Sequence, residues 1–330
     1  MGIENARVQI LIPVYNNVNE LDKTMQSIWN QNFDKDNIYV VMVDFGSSDG
    51  SYEKMLKYPS NRLGVYQVVG DFCKSTMVSE VVKIAEYTSP GGAFFYRMVL
   101  WPGDIIYPTY IKKMVGAMLE NLHINPYMVI CETDIDEKYG KYFHKSLFEE
   151  KCIIDGEKDY INLNSKFFNH SVHCLGGDFA IIKHRTCGFM NERVWVNKIT
   201  TSIYERNVVY IPERLACIKE RFYIDELREI LLRWESVIAF KRIQEAKYKK
   251  VLDKSFLKAP EMNLAEYALW RAYICVKNND YKMAKKCFMI SEVIFPEIRS
   301  IRKFELTNQL LEGIDTKELD EIYMKDVIKC

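Results

Sequence analysis

Two apolar runs, each ending in a polar turn, constrain what this chain can fold into. The first run is Val8-Gln-Ile-Leu-Ile-Pro-Val-Tyr-Asn16, and the second is Tyr39-Val-Val-Met-Val-Asp-Phe-Gly-Ser-Ser-Asp-Gly50. Such runs are typical of buried parallel strands, whose carboxyl ends meet at one edge of a sheet. Asp44 comes where the second strand ends, and the glycine-containing turn after it lets the backbone bend sharply. Because ligands of open α/β sheets bind at this edge, the sequence predicts a ligand site there.

Strand-like and helix-like segments alternate after this opening. Strands are predicted at Val8 to Val14, Ile38 to Val43, Gly64 to Val69, Ala93 to Leu100 and Tyr127 to Cys131. Helices are predicted at Val18 to Asn30, near Tyr52, and at Thr76 to Tyr87 and Tyr110 to Leu122. This order predicts βαβ units and an α/β fold with a mainly parallel sheet flanked by helices. The pattern blurs between Lys138 and Ser171.

The pattern changes to helices without strands after Arg221, so we expect two domains, residues 1–221 and 222–330. Phe222 to Leu257 is predicted as one long or broken helix, whose apolar stripe includes Leu231, Trp234 and Ile238. Its second half is basic, with lysines or arginine at 241, 242, 247, 249, 250, 254 and 258. A solvated helix face explains such a run; an anionic membrane surface or acceptor is the alternative.

Residues 264–296 resemble a single tetratricopeptide hairpin. Ala272 falls at the small-residue position of the first helix, Asn279-Asp-Tyr281 forms the turn, and Pro296 closes the second helix. One hairpin is a weak signal, because a solenoid needs several stacked units to bury its core. A helical pair packed on the first domain is the alternative. Residues 316–328 predict one more capping helix.

The two opening motifs resemble the start of family 2 glycosyltransferases, which transfer a sugar from a nucleotide donor with inversion. The motifs are Pro13-Val-Tyr-Asn16 and Val43-Asp-Phe-Gly-Ser-Ser-Asp-Gly50. The resemblance covers roughly the first two-thirds of the chain and implies a Rossmann-like GT-A-type domain followed by an all-helical one. It implies a donor site lined by Pro13, Val14, Tyr15, Asp44, Ser47 and Asp104. Asp44 would accept a hydrogen bond from the base, usually uracil, as a charge-assisted contact. A plain strand-end cap is the alternative role for Asp44.

The metal motif departs from the family pattern. Family members carry an acidic cluster after the fourth strand, where carboxylates hold a divalent cation against the diphosphate. Here Trp101 and Gly103 stand where acids are expected, and only Asp104 remains. One carboxylate with diphosphate oxygens and waters can still hold Mg²⁺, so Asp104 is the candidate ligand for Mg²⁺ or Mn²⁺.

The donor-phosphate contact and the general base depart as well. Many members have an Arg-Asn pair on the third helix, where this chain has Val78-Ser79, so Lys74 or Arg97 would have to compensate. Gly188-Phe-Met-Asn-Glu192 matches the segment before the family's catalytic acids, but Asn197-Lys198 follows. Asparagine is not a base at neutral pH. Asp178 and Glu192 are therefore the candidate bases, with a turn residue and a helix cap or salt bridge as their alternative roles.

The composition and the absence of certain motifs argue against several other classes of protein. Lys plus Arg and Asp plus Glu both number 45, so no overall charge favours nucleic acid. The nine cysteines contain no CxxC pair, and the start of the chain has no secretory apolar segment. We expect a cytoplasmic protein with reduced thiols, with at most a peripheral contact at the inner face of the membrane. The His-x-x-His-Cys spacing at 170–174 fits no tetrahedral zinc site, and no P-loop or GxGxxG motif occurs.

The sequence thus favours a glycosyltransferase that uses a nucleotide-sugar, UDP before GDP, and a glycan, lipid-linked or protein acceptor. Three departures from the motif favour a rival interpretation, a catalytically silent relative that binds a ligand or partner. A third interpretation is a scaffold that acts through the tetratricopeptide-like hairpin. In each case the helical domain is a candidate surface for a protein partner.

Overall fold

The structure, a computed structural model, describes most of the chain in separate ranges. They are residues 2–59, 61–70, 74–88, 96–126, 128–137, 140–144, 148–155, 172–177, 207–219, 255–314 and 316–329, with single helical positions between 227 and 245. All structural statements below concern these residues.

Four parallel strands form the first half of the sheet. They are β1 (Val8–Val14), β2 (Ile38–Asp44), β3 (Leu63–Gln67) and β4 (Tyr96–Val99). β1 lies between β2 and β4, and Val14 pairs with Asp44. Every residue of β1 and β2 is buried, which explains the unbroken apolar runs in the sequence. The carboxyl ends of β1 and β2 therefore finish side by side.

The second half of the sheet is mixed. It contains β5 (Ile105–Ile106), β6 (Met128–Glu137), β7 (Gly140–His144), β8 (Cys152–Asp155), β9 (Val172–Gly177) and β10 (Asn207–Lys219). β9 joins the halves by running antiparallel to both β4 and β6. β10 runs parallel to β6 and antiparallel to β5 and β8. This pairing brings Lys219, the last residue of β10, to the turn between β4 and β5.

Helices cover both faces of the parallel strands. They are α1 (Leu21–Trp29), the short α2 (Ser51–Met55), α3 (Lys74–Thr88) and α4 (Tyr110–Glu120). Successive side chains of a strand point to opposite faces, so Ile10 and Ile12 pack with α1 and α4, whereas Leu11 packs with α3. This three-layer arrangement is the predicted one.

The helical part contains α5 (Ser255–Lys277), α6 (Tyr281–Ile294), α7 (Arg302–Leu311) and α8 (Lys317–Asp326). α5 and α6 pack against each other as a helical hairpin, whose tetratricopeptide character stays a prediction, and Asp280 caps α6 by accepting a hydrogen bond from the Met283 N–H at 3.0 Å. α5 begins at Ser255, inside the span predicted as the preceding helix. A short strand not predicted from the sequence, β11 (Val327–Lys329), follows α8 and pairs antiparallel with β7.

The architecture confirms the predicted fold class, a helix-flanked parallel sheet followed by a helical region. The helical cores around Leu264 and Leu306 are separate from the sheet cores, and Ile135 meets Trp270 between them. Arg221 lies outside the described residues, so the boundary there stays a prediction. No described helix combines the length and apolarity that crossing a bilayer requires.

Candidate functional site

The loops after β1 and β2 are tied together by hydrogen bonds. Asn16 adopts a positive φ of 52°, its N–H donates to Ser47 Oγ at 2.9 Å, and its side chain accepts from the Ser48 N–H at 2.9 Å. Asp49 accepts from the Val18 N–H at 2.9 Å. The Pro13-Val-Tyr-Asn16 and Asp44-to-Gly50 segments therefore form one unit. Pro13 and Val14 are buried strand residues, whereas Tyr15 is 48% exposed beside them.

Asp44 is the central residue of this unit, and it is fully buried. Its Oδ2 accepts three hydrogen bonds at 3.1 Å, from the N–H groups of Gly46 and Ser47 and from Gln67 Nε2. Its Oδ1 is buried without a hydrogen-bond partner. A buried acceptor without a partner costs about 1–3 kcal/mol. A strand-end cap would use only Oδ2, so the cap does not account for the orientation of Oδ1.

Asp104 closes a tight turn two strands away from Asp44. Its N–H donates to the Trp101 carbonyl at 3.0 Å, and Gly103 has a φ of 96° that favours glycine. Thr24 on α1 fixes the turn, because its hydroxyl accepts from the Gly103 N–H at 2.7 Å and donates to the Asp104 carbonyl at 2.9 Å. β1 alone separates β2 from β4, so the axes of the two strands that lead to Asp44 and to the Asp104 turn are about 10 Å apart.

Lys219 meets this turn, a contact that sequence reasoning missed. Its backbone N–H donates to Asp104 Oδ1 at 2.9 Å, and its Nζ donates to Glu20 Oε1 at 2.9 Å. The Lys219 side chain remains 40% exposed. No local pattern indicates this contact, because Lys219 is 115 residues from Asp104 and 199 from Glu20.

Val78 and Trp101, which stand where the family pattern has an arginine and an acid, belong to one apolar cluster. Val78 is buried with Phe45 and Val43 between α3 and the sheet, and Trp101 packs against the same cluster. An apolar contact thus occupies the position where related chains carry the helix-borne arginine.

Arg97 does not compensate for that arginine. Its buried Nε donates to Gln9 Oε1 at 2.5 Å, and Arg97 pairs with Gln9 near the start of β1. Five residues of strand separate Gln9 from Val14, about 16 Å. The Lys74 side chain, the other candidate, lies outside what the structure describes, as do the candidate bases Asp178 and Glu192.

The donor set determines what kind of metal could bind. Within the described ranges, no three His, Cys, Asp or Glu side chains come together as a metal cluster. Asp104 is the only acid in its turn, and its Oδ1 already accepts the Lys219 N–H. These residues fit an ion that keeps waters and diphosphate oxygens as ligands, as Mg²⁺ does, but they do not form a complete protein cage.

The helix-flanked sheet, with the paired loops at its edge, has a GT-A-type fold. The family model described as Glycosyl transferase family 2 matches residues 9–69, the segment that contains both loops and Asp44. This match agrees with the resemblance of the two opening motifs to that family.

Solved structures with this fold include TarS and a mannosyltransferase. TarS residues 1–349 from S. aureus is 12% identical, with a TM-score of 0.55 and coverage of 93% of this chain and 92% of that one. The mannosyltransferase PcManGT from Pyrobaculum calidifontis, in complex with GDP-Man and Mn²⁺, is 13% identical, with a TM-score of 0.50 and coverage of 97% and 84%. No curated protein matches the chain.

Proposed function

We propose that the chain transfers a sugar from a UDP-sugar to a glycan, lipid-linked or protein acceptor, with inversion. The observation that carries the proposal is the unpartnered Oδ1 of buried Asp44, at the end of β2 and beside the Pro13-Val-Tyr-Asn16 loop. A base N–H would satisfy this oxygen with a charge-assisted hydrogen bond.

The pattern of acceptors at Asp44 favours uracil. Oδ2 already accepts three N–H groups, so one oxygen remains for the ligand. Uracil offers a single ring N–H on its pairing edge and matches that oxygen. Guanine offers two adjacent donors, which suit both oxygens of a carboxylate, and cytosine offers a bare ring nitrogen that repels it. UDP is therefore favoured over GDP, and CDP is disfavoured.

Access to Oδ1 depends on side-chain movement, because this oxygen is buried. Gln67, an exposed side chain, contacts Oδ2 of the same carboxylate. Its rotation into solvent would open a path for the base while the Gly46 and Ser47 N–H groups keep Asp44 in place.

The diphosphate would lie between the base site and the Asp104 turn, near Lys219. Asp104 is the residue that would hold a divalent cation, which supplies positive charge to the leaving diphosphate. Lys219 adds a fixed charge at the same turn. PcManGT was solved with GDP-Man and Mn²⁺ and TarS with UDP-GlcNAc, which supports this type of donor without defining the sugar.

The transfer would be a single displacement. The acceptor hydroxyl attacks the anomeric carbon as the bond from that carbon to the UDP oxygen breaks, and a carboxylate takes the hydroxyl proton. Asp178 and Glu192 remain the candidate bases. UDP leaves as the second product.

Calorimetry with UDP, GDP and CDP, each with and without Mg²⁺, tests the donor site. We expect UDP to bind most tightly, Mg²⁺ to strengthen that binding, and Asp104→Asn to remove the strengthening by Mg²⁺. Asparagine keeps the oxygen that accepts the Lys219 N–H, so the turn should persist. Absence of UDP binding at millimolar concentration would reject the donor site.

A catalytically silent nucleotide-binding protein is the second candidate. The apolar Trp101 and Val78, at positions expected to carry an acid and an arginine, favour it. Slow UDP-sugar hydrolysis separates the two, because a transferase releases sugar to water when no acceptor is present. Hydrolysis lost in Asp104→Asn and in Asp178→Asn or Glu192→Gln supports transfer; UDP binding without hydrolysis supports the silent protein.

We further propose that residues 1–221 form the donor domain and residues 222–330 a helical domain for an acceptor or partner. A cytoplasmic location, at the inner face of the membrane, fits a donor of this kind. Separate expression of the two parts, with UDP binding retained by the first, would test the division.

A further inference from the structure

We propose that the outward face of α6 binds the surface of an anionic lipid bilayer. This basic face consists of Tyr281, Lys282, Lys285, Lys286, Met289 and Val293. The inference does not rest on the proposed transfer activity.

The sequence of α6 creates the face, and packing fixes its direction. At about 100° per residue, the six side chains fall within an arc of about 140°, with apolar and lysine side chains interleaved. The opposite side of the helix carries the buried residues Ala284, Cys287, Ser291 and Ile294. Contacts in that core therefore hold the basic face toward solvent.

The apolar members protrude from the surface. Tyr281 is 48%, Met289 66% and Val293 60% exposed. Neighbouring helices bury their large apolar side chains, such as Leu306 and Leu310 on α7. Apolar groups that project between lysines fit a bilayer surface, which takes them up at the headgroup boundary without a shaped pocket.

The charge of the face is uncompensated. None of Lys282, Lys285 and Lys286 has an acidic partner among the residues that the structure describes, whereas Lys277 and Lys303 on adjoining helices pair with Asp320 and Glu266. Glu292 is the acid within this arc, at about 20° between Tyr281 and Lys285, and its carboxylate pairs with Arg299. Asp280 next to it caps the helix. Three unpaired lysines attract anionic headgroups, and the apolar side chains add contact that is independent of salt.

Vesicle co-flotation of the full chain tests the proposal. Vesicles of phosphatidylcholine alone are compared with vesicles that also contain phosphatidylglycerol, at low and high salt. We expect binding to the anionic vesicles only, weakened by salt. The variant K282Q/K285Q/K286Q should lose at least about tenfold in partitioning, and M289S/V293S should lose a similar factor that persists at high salt.

A matched variant removes the same charge elsewhere. K57Q/K112Q/K317Q neutralises three exposed lysines scattered over the surface and should bind as the unmodified chain does. Since all the substituted side chains are exposed, thermal unfolding should be unchanged in each variant. No binding to anionic vesicles, equal binding to neutral ones, or equal losses in the control variant would overturn the proposal. Binding only to an acidic protein would overturn it as well.

Discussion

Asp44 in the sheet and Asp320 in the helical region are held in opposite ways. Asp44 is buried, and one of its oxygens has no partner. Asp320 on α8 accepts the Tyr273 hydroxyl at 2.8 Å on Oδ1, and Lys277 Nζ lies 2.8 Å from Oδ1 and 3.0 Å from Oδ2. The helical carboxylate is thus satisfied within the protein, whereas the sheet carboxylate is not.

This difference indicates that Asp320 stabilises the fold, whereas Asp44 is placed to bind a ligand. In the helical region, other acids also have partners, as Glu318 does with Arg302 and Glu266 with Lys303. At the sheet edge the loops are satisfied by one another, yet the residue at their centre retains an unused acceptor. A buried polar group that lacks a hydrogen-bond partner lowers stability, and such a group is expected where a ligand supplies the missing partner.

The largest expected effect is a loss of UDP affinity when Asp44 is replaced. Asp44→Asn keeps one oxygen for the Gly46 and Ser47 N–H groups but presents an amide N–H₂ where Oδ1 was. UDP affinity should fall about 10- to 100-fold, the loss of one charge-assisted hydrogen bond. Because the amide can donate to the ring nitrogen of cytosine, CDP should gain relative to UDP. Calorimetry measures both.

The melting temperature of Asp44→Asn is the control for its UDP binding. Asp44→Asn keeps the oxygen that accepts three hydrogen bonds and replaces a buried acceptor without a partner by an amide without one, so its melting temperature should stay level. A variant that loses both UDP binding and several degrees of melting temperature would mean that Asp44 is a structural residue.

The converse change is Asp320→Ala. The buried Tyr273 hydroxyl loses its acceptor and Lys277 loses its ion pair, so the free energy of unfolding should drop by about 1–2 kcal/mol. UDP affinity should be unchanged. Denaturant unfolding and calorimetry on the same sample test this, and a loss of UDP affinity would show that the two regions are coupled.

Lys219→Met tests whether Lys219 contributes to UDP binding at the edge of the sheet. Removing one partly exposed positive charge near the diphosphate should weaken UDP binding about fivefold, with less dependence on salt. Uridine, which lacks phosphates, should bind as before. Lys113→Met is the matched control, because Lys113 is equally exposed and also pairs with a glutamate, Glu213. Equal losses in both variants would remove Lys219 from the site.

The smallest expected effect is a pH dependence of the helical region. Burial raises the pKa of Tyr273, and its hydrogen bond to Asp320 raises it further. The raised pKa adds stability that is complete below the ordinary pKa of 10.0 and is lost as the pH rises toward the folded value. Thermal melts should therefore show a decline above pH 10.0 that is smaller in Tyr273→Phe. An identical decline in both proteins would assign it to other groups, such as the buried Tyr323.

The first part of the fold was predictable because its signals are local. The apolar runs of β1 and β2 are buried on both faces and read as strands, and the turns after them carry the family motif. The position of Asp44 at the end of β2 could be predicted from these features alone. The orientation of its two oxygens could not, because it depends on Gln67, a side chain on a different strand.

Other features depend on contacts between distant parts of the chain. Lys219 reaches Asp104 only because β10 pairs with β6 and β5, and its register shifts after Ile211 and again after Arg214. β11 is three residues long and forms against β7, so local pattern predicts the helix before it but not the strand. Arg97 lies too far from the loops to be the predicted phosphate contact, because it pairs with Gln9 near the start of β1. A motif indicates the order of residues along the chain, whereas strand register determines where each one lies in the sheet.

In the proposed donor site Asp44 Oδ1 receives the base, and a crystal structure of the UDP complex would show whether it does. We expect uracil N3 within about 2.7–3.0 Å of Asp44 Oδ1. Gln67 should be rotated from its present contact, and the diphosphate should lie toward Asp104 and Lys219. UDP bound elsewhere, or a base whose ring N–H contacts another residue while Oδ1 stays without a partner, would contradict the account.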